Sequence, residues 1–148
     1  MERIPEPELM EEEAQVKAYA EGDFSQPHGA FIERIKTCLG DSGFCGHALD
    51  LGCGPGDISR RFAEAFPGCH VDAVDGSLAM IDCAKAMTAP SLLTRLQYIH
   101  GKLPDCGWPE TGYDLILSNS LLHHLPEPQV LWRTLKRYAK PGAAVFIM

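Results

Sequence analysis

A chain of 148 residues with 13 basic and 20 acidic side chains, net charge -7, is the length of one ordinary domain. At 45% hydrophobic and 22% charged it reads as globular, and its acidic balance argues against nucleic acid or an anionic membrane as a partner, since either calls for a basic face. No apolar run approaches the roughly 20 residues of a membrane span. The start MERIPEPELM has no secretory apolar core, and the six cysteines (38, 45, 53, 69, 83 and 106) contain no C-x-x-C pair, so reduced thiols and a cytoplasmic setting are expected.

Two helices are expected before any strand. The first covers residues 8–22, with Leu9, Val16 and Tyr19 at loose helical spacing and Gly22 as its stop. The second covers 24–40, with Phe31, Ile32, Ile35 and Leu39 on one face and Gly40 ending it. From residue 47 short apolar runs alternate with helical stretches. Strands are expected at 47–52, 69–75, 95–101, 113–119 and 143–148. Helices are expected at 57–66, closed by Pro67-Gly68, at 77–87, capped by Ser77, and at 127–139, with Pro128 in its first turn. Cys53, Cys69 and Cys83 fall where small buried residues are wanted.

Strands alternating with helices imply crossover units and a mostly parallel sheet covered on both faces. The expected class is therefore α/β, a Rossmann-like three-layer sandwich, with residues 1–44 as a helical extension and 45–148 as the ligand-binding domain. Ligands of such sheets sit at the carboxyl ends of the strands. There the chain reads "DLGCGPGD", with Gly52, Gly54 and Gly56 after the first strand and an acid, Asp75, at the end of the second. Asp75 suits a ribose diol in either a dinucleotide or another adenosine ligand. Asp50 separates the two: a carboxylate two residues before the first glycine repels a pyrophosphate and welcomes a cationic group. Pro55 removes one backbone N–H from any phosphate cradle. S-adenosyl-L-methionine meets every constraint, with its ribose on Asp75 and its ammonium near Asp50. A nicotinamide-dependent oxidoreductase is the reading that Asp50 disfavours.

"LDLGCGPGDIS" resembles the first motif of the class I S-adenosylmethionine-dependent methyltransferases, and "VDAVDGSLAMI" resembles the second. "YDLILSNSLLHHLPEP" and "TLKRYAKPGAAVFIM" are similar to that family's fourth- and fifth-strand motifs, with Lys136 to Gly142 at the usual "LKPGG" turn. The resemblance covers about residues 45–148. It implies that Gly52, Gly54 and Gly56 let backbone approach the methionine and ribose, and that Asp75 binds the ribose hydroxyls. It places Gly76, Ser77 and Met80 near the adenine edge, Met80 being either a face for the ring or a core residue. Ser118 and Asn119 follow the fourth strand beside the cofactor. After the third strand the family usually has Gly-Asp, and here stands Gly101-Lys102. Lysine only donates, so the adenine amino group is left to Asp105 or to the backbone of Lys102 and Leu103, or cofactor affinity is low.

Methyl transfer is an in-line displacement accelerated by positioning and desolvation, so no nucleophilic side chain is required. His123 and His124 are the candidates for a general base or an acceptor-orienting group, against the alternative that they simply start a helix and pack under the loop. "SNSL" in place of Asn-Pro-Pro-Tyr after the fourth strand implies a small-molecule acceptor rather than a nucleobase amine. No metal is implied. The family's sheet has seven strands and this sequence reaches its fifth at Met148. The fifth strand is then an apolar edge, which suggests a homodimer through it or a non-catalytic binding fragment. Tyr19 is a candidate lid contact over the cofactor.

Overall fold

The computed structural model describes residues 10–40, 43–104 and 112–148. Pro5, Pro7, Leu9, Asp105 and Cys106 of the sequence reading lie outside the described residues. The element order is α1 (Glu13–Ala20), α2 (Ser25–Leu39), β1 (Gly46–Leu51), α3 (Asp57–Ala65), β2 (Cys69–Asp75), α4 (Leu78–Met87), a 3₁₀ turn (Leu92–Thr94), β3 (Leu96–His100), β4 (Tyr113–Ser118), α5 (Gln129–Tyr138) and β5 (Ala139–Ile147). The five strands form one sheet in the order β3-β2-β1-β4-β5, and every pairing is parallel. The strand order reverses between β1 and β4, and the carboxyl ends of those two strands frame the crevice.

The alternation of side chains along the strands divides the core into two layers. Ala48, Val71, Ala73, Leu115 and Leu117 face α2, α3 and α4 through Ile35, Phe62 and Ile81. Leu49, Leu51, Val74 and Ile116 face α5 through Leu131, Leu135 and Tyr138. Both faces of β4 are therefore apolar, which is why "LIL" reads as an unbroken run. Ser77 caps α4 by accepting the Met80 N–H at 3.2 Å, as its position in sequence implied.

One boundary and one element depart from the sequence reading. β5 starts at Ala139, directly after α5, rather than at 143. Ala139 pairs with Tyr113, the chain then bulges through Lys140–Gly142, and pairing resumes at Leu115 with Ala144. Gly142 takes φ +82 in that bulge, and Lys140 Nζ donates to Asp114 Oδ1 at 2.7 Å, anchoring it. Turn residues thus sit inside a strand, which local propensity does not reveal. The 3₁₀ turn before β3 was also not expected. Cys53 and Cys69 are buried, but Cys83 is only partly so, on the outer side of α4 where Cys83 Sγ meets Met87 Sδ at 3.7 Å. The five described cysteines are free thiols, and no helix among the described residues is long and apolar enough to cross a membrane. β5 forms one edge of the sheet, with Val145, Ile147 and Met148 at the surface.

Candidate functional site

β1 delivers Asp50 to the crevice, and the chain then turns through Gly52 to Gly56 into α3. The three glycines all have positive φ, +73, +53 and +80, but for different reasons. A Cβ on Gly52 would lie 2.8 Å from Leu121 Cδ1, so this glycine lets the loop after β4 close on the loop after β1. At Gly54 a Cβ would meet no atom within 4 Å and would project into the crevice. At Gly56 it would strike Tyr98 Oη at 2.5 Å. That hydroxyl is held beneath α3 by Thr88 Oγ1 at 2.9 Å.

Gly56 is therefore a packing glycine, and the structure does not bring it to the ligand side as the motif implied. Gly56→Ala is expected to cost about 2 to 4 kcal/mol of stability, from the left-handed backbone and the overpacked Tyr98 together, read as a fall in the urea midpoint. Gly54→Ala is expected to cost about 1 kcal/mol of stability and to block the crevice instead. Equal unfolding midpoints for the two variants would contradict this division.

Asp75 closes β2 and ties the loop in place. Its Oδ2 accepts the Gly54 N–H and its Oδ1 accepts the Ser77 N–H, both at 2.8 Å. Burial raises its pKa against the opposing pull of these two backbone donors. Asp50 is buried below Gly52 and accepts from Ser59 Oγ at 2.5 Å. Burial, with a smaller push from Asp75, raises Asp50 to about 7, while Ser59 and His28 oppose the shift. A buried carboxylate and a half-buried one, both with raised pKa values and both lining cavities that share Gly52, form a site that stabilises a cation.

Three small cavities meet at Gly52. The first, about 160 Å³, is lined by Asp50, Gly54, Asn119, Tyr19 and His28 among others. The second, about 80 Å³, is lined by Asp75, Ser77, Met80, Asn119, Leu121 and His124, with Met10 and Tyr19 over it. The third, about 40 Å³, holds Val74, Gly76, Gly101, Lys102, Leu103 and Leu125. In chain order along the crevice these suit an amino-acid tail, a ribose and an adenine.

Most of the expected cofactor residues are thus brought together: Asp50, Gly52, Gly54, Asp75, Gly76, Ser77, Met80, Lys102, Leu103 and Asn119. Met80 is buried in the core and also lines the second cavity. Ser118 is not at the crevice: its hydroxyl donates to the Leu51 carbonyl at 2.9 Å and staples β4 to β1. His123 is exposed and lines none of the three cavities, whereas His124 lines the second. The two histidines lie in a turn rather than at a helix start.

The N-terminal segment closes the crevice from above. Ser77 Oγ donates to the Met10 carbonyl at 2.6 Å, and Tyr19 reaches both the first and second cavities. Burial and the nearby Asp75 raise the Tyr19 pKa. Tyr19, Phe24 and His28 form a ladder of rings spaced 5.1 and 5.4 Å.

His28 was missed by sequence reasoning. Its Nδ1 is 2.7 Å from Asp57 Oδ2, and its Nε2 is 3.4 Å from Asn119 Nδ2, so α2, α3 and the loop after β4 meet on one imidazole. Asp57 is held at about 2, first by its hydrogen bond to His28 and then by Arg61. The available signal was a polar residue in register with the apolar stripe 28, 31, 32, 35.

Residues 48–142 match the methyltransferase domain family, nearly two thirds of the chain. This chain belongs to the class I S-adenosylmethionine-dependent methyltransferases. It is 35% identical over 101 residues to the mitochondrial ubiquinone biosynthesis O-methyltransferase of Schizosaccharomyces pombe, covering 67% of this chain and 36% of that protein. It is 35% identical over 102 residues to a trans-aconitate 2-methyltransferase of Methylobacterium radiotolerans, covering 68% and 36%. Among solved structures, coclaurine N-methyltransferase bound to N-methylheliamine and S-adenosylhomocysteine superposes with a TM-score of 0.70 at 19% identity, covering 85% of this chain and 36% of that one, which shows the shared fold. The chain thus spans about a third of the length of these curated methyltransferases. In this member of the family the glycine loop, Asp75 and the loop after β4 lie together at the carboxyl ends of the strands, and Lys102 lines the smallest of the three cavities.

Proposed function

We propose that the chain binds S-adenosyl-L-methionine across the three cavities and serves methyl transfer to a small-molecule acceptor. The observation that carries this is the pair of carboxylates around the glycine turn, Asp50 buried and Asp75 half-buried, a setting that repels a pyrophosphate and favours a ligand with a cationic tail and a diol. When bound, the cofactor would supply a sulfonium methyl carbon, open to in-line attack by an acceptor lone pair, with the S–CH3 bond breaking and the thioether leaving. The chain's own residues act by placement. Asp50 faces the ammonium, Asp75 takes the ribose hydroxyls, and backbone at Gly76 and Leu103 borders the base. Tyr19 and Met10 exclude water from above.

The small-molecule class is supported by the names of the relatives, a ubiquinone biosynthesis O-methyltransferase and a trans-aconitate 2-methyltransferase. The free thiols support a reducing, cytoplasmic setting. Calorimetric titration with S-adenosylhomocysteine tests the reading. Saturable binding that NADH does not compete away is the expected result, and no binding at millimolar ligand overturns it.

A further inference from the structure

We infer that His124 is a cofactor-binding residue whose Nδ1 hydrogen-bonds a hydroxyl of the cofactor's ribose, gripping the diol from the side opposite Asp75. The assignment rests on the cofactor reading above and deepens it.

His124 lies in the turn after β4, where its N–H donates to the Leu121 carbonyl at 3.0 Å and its ring is packed on His123 with centroids 4.1 Å apart. The backbone and the ring neighbour hold the imidazole beside the second cavity. Its Nδ1 is fully buried and has no hydrogen-bond partner, an arrangement found for no other side-chain nitrogen or oxygen among the described residues. A buried polar atom left unpaired is costly and is the mark of a missing partner.

The cavity that His124 lines also contains Asp75, Ser77 and Met80. It is absent from the lining of the cavity around Asp50 and from that of the cavity around Lys102. Its neighbour Leu125 faces the latter instead. The position thus selects the ribose over both the amino-acid tail and the base. His124 is also close enough to Asp75 to pull that carboxyl's pKa down.

The two groups are chemically complementary as a diol clamp. Both Asp75 oxygens already accept a backbone N–H, from Gly54 and Ser77, and a carboxylate only accepts. An imidazole nitrogen accepts from a hydroxyl or donates to its oxygen according to tautomer, so it pairs with whichever role the second hydroxyl has left. This also supplies affinity at the ribose, which matters because Lys102 cannot accept from the adenine amino group.

The experiment is calorimetric titration of the full chain with S-adenosylhomocysteine and with its 2′-deoxy and 3′-deoxy forms. The wild type, His124→Asn and His124→Leu are compared. Asn keeps a polar atom where Nδ1 stood, and Leu does not. The wild type is expected to lose about tenfold in affinity for one of the two deoxy ligands. His124→Leu is expected to bind the parent ligand about tenfold more weakly than the wild type, and to treat that parent and deoxy pair alike. His124→Asn is expected to stay within about threefold of the wild type and to keep the discrimination. Without ligand, His124→Leu should melt no lower than the wild type, because it removes an unpaired buried nitrogen.

Equal affinity of wild type and His124→Leu overturns the assignment, as does an unchanged deoxy penalty in His124→Leu. Equal losses in the Asn and Leu variants overturn it in favour of a packing role. If the Leu variant does not fold, the deoxy ligands on the wild type and on His124→Asn decide, and absence of a penalty in both refutes the contact. A wild type that binds no S-adenosylhomocysteine refutes the cofactor reading itself, and this assignment with it.

Discussion

Asp50→Asn is expected to make the ligand-free protein more stable at pH 8 and at the same time to remove most of its affinity for S-adenosylhomocysteine. Burial raises the Asp50 carboxyl from 3.8 to about 7. That is about three pK units, or about 4 kcal/mol of preference for the neutral form. The sign follows from linkage. Because the folded pKa lies above the unfolded one, the group costs nothing below about pH 4. The penalty grows as pH rises from about 4 to about 7, and it stays constant above that.

Asparagine carries no such penalty and its amide oxygen still accepts from Ser59. Its new N–H groups need partners in a buried place, which offsets part of the gain. A net stabilisation of about 2 kcal/mol at pH 8, roughly 5 °C in melting temperature, is the expected balance. The difference between variant and wild type should vanish near pH 4 and level off above pH 7. A gap that does not change with pH would show that the buried charge is not its cause. Binding should fall by about 10- to 100-fold, the range for losing a hydrogen bond to a charged group. Unchanged affinity would remove Asp50 from the ammonium site. The pair of effects in one variant would mark a residue kept for binding at the expense of stability.

Asp75→Asn is expected to reduce S-adenosylhomocysteine affinity by about 30-fold or more with only a small change in melting temperature. The carboxylate accepts two backbone N–H groups at 2.8 Å, from Gly54 and Ser77, one on each oxygen. An amide keeps one acceptor and presents an NH2 to the other donor, so one of the two contacts becomes a clash of donors. The glycine loop or the start of α4 then shifts, and the ribose loses an acceptor as well.

Stability changes little because the lost hydrogen bond is offset by relief of the burial that raises the Asp75 pKa. Titration calorimetry reads the affinity and thermal unfolding reads the offset. A variant that binds as well as the wild type would refute the role of Asp75 at the diol. A large fall in melting temperature would show that the loop tether matters more to the fold than to the ligand.

The alternation of apolar strands and amphipathic helices from residue 47 onward was enough to establish a parallel α/β sheet. Period-2 and period-3.6 patterns record which face each element buries. The placing of Asp50, Asp75 and the glycine turn at strand ends was legible for a similar reason, since the apolar pattern marks where each strand stops. The start of β5 was not legible. Its pairing of Ala139 with Tyr113 depends on a bulge that only the neighbouring strand defines.

What sequence alone determined about this protein is the order of its elements, the family its motifs resemble and the acids that mark the crevice. The tertiary structure decided the division of labour among residues that look equivalent in the chain. Gly54 faces the ligand side while Gly56 makes room for Tyr98. Ser118 turns into the sheet to bond Leu51, although the adjacent Asn119 lines the crevice. His28, 22 residues before Asp50, arrives at the same cavity from another helix, and His124 rather than His123 enters the ribose side. The physical reason is that burial and partnership depend on distances across the fold, between residues such as 28 and 119, and no spacing along the chain encodes them.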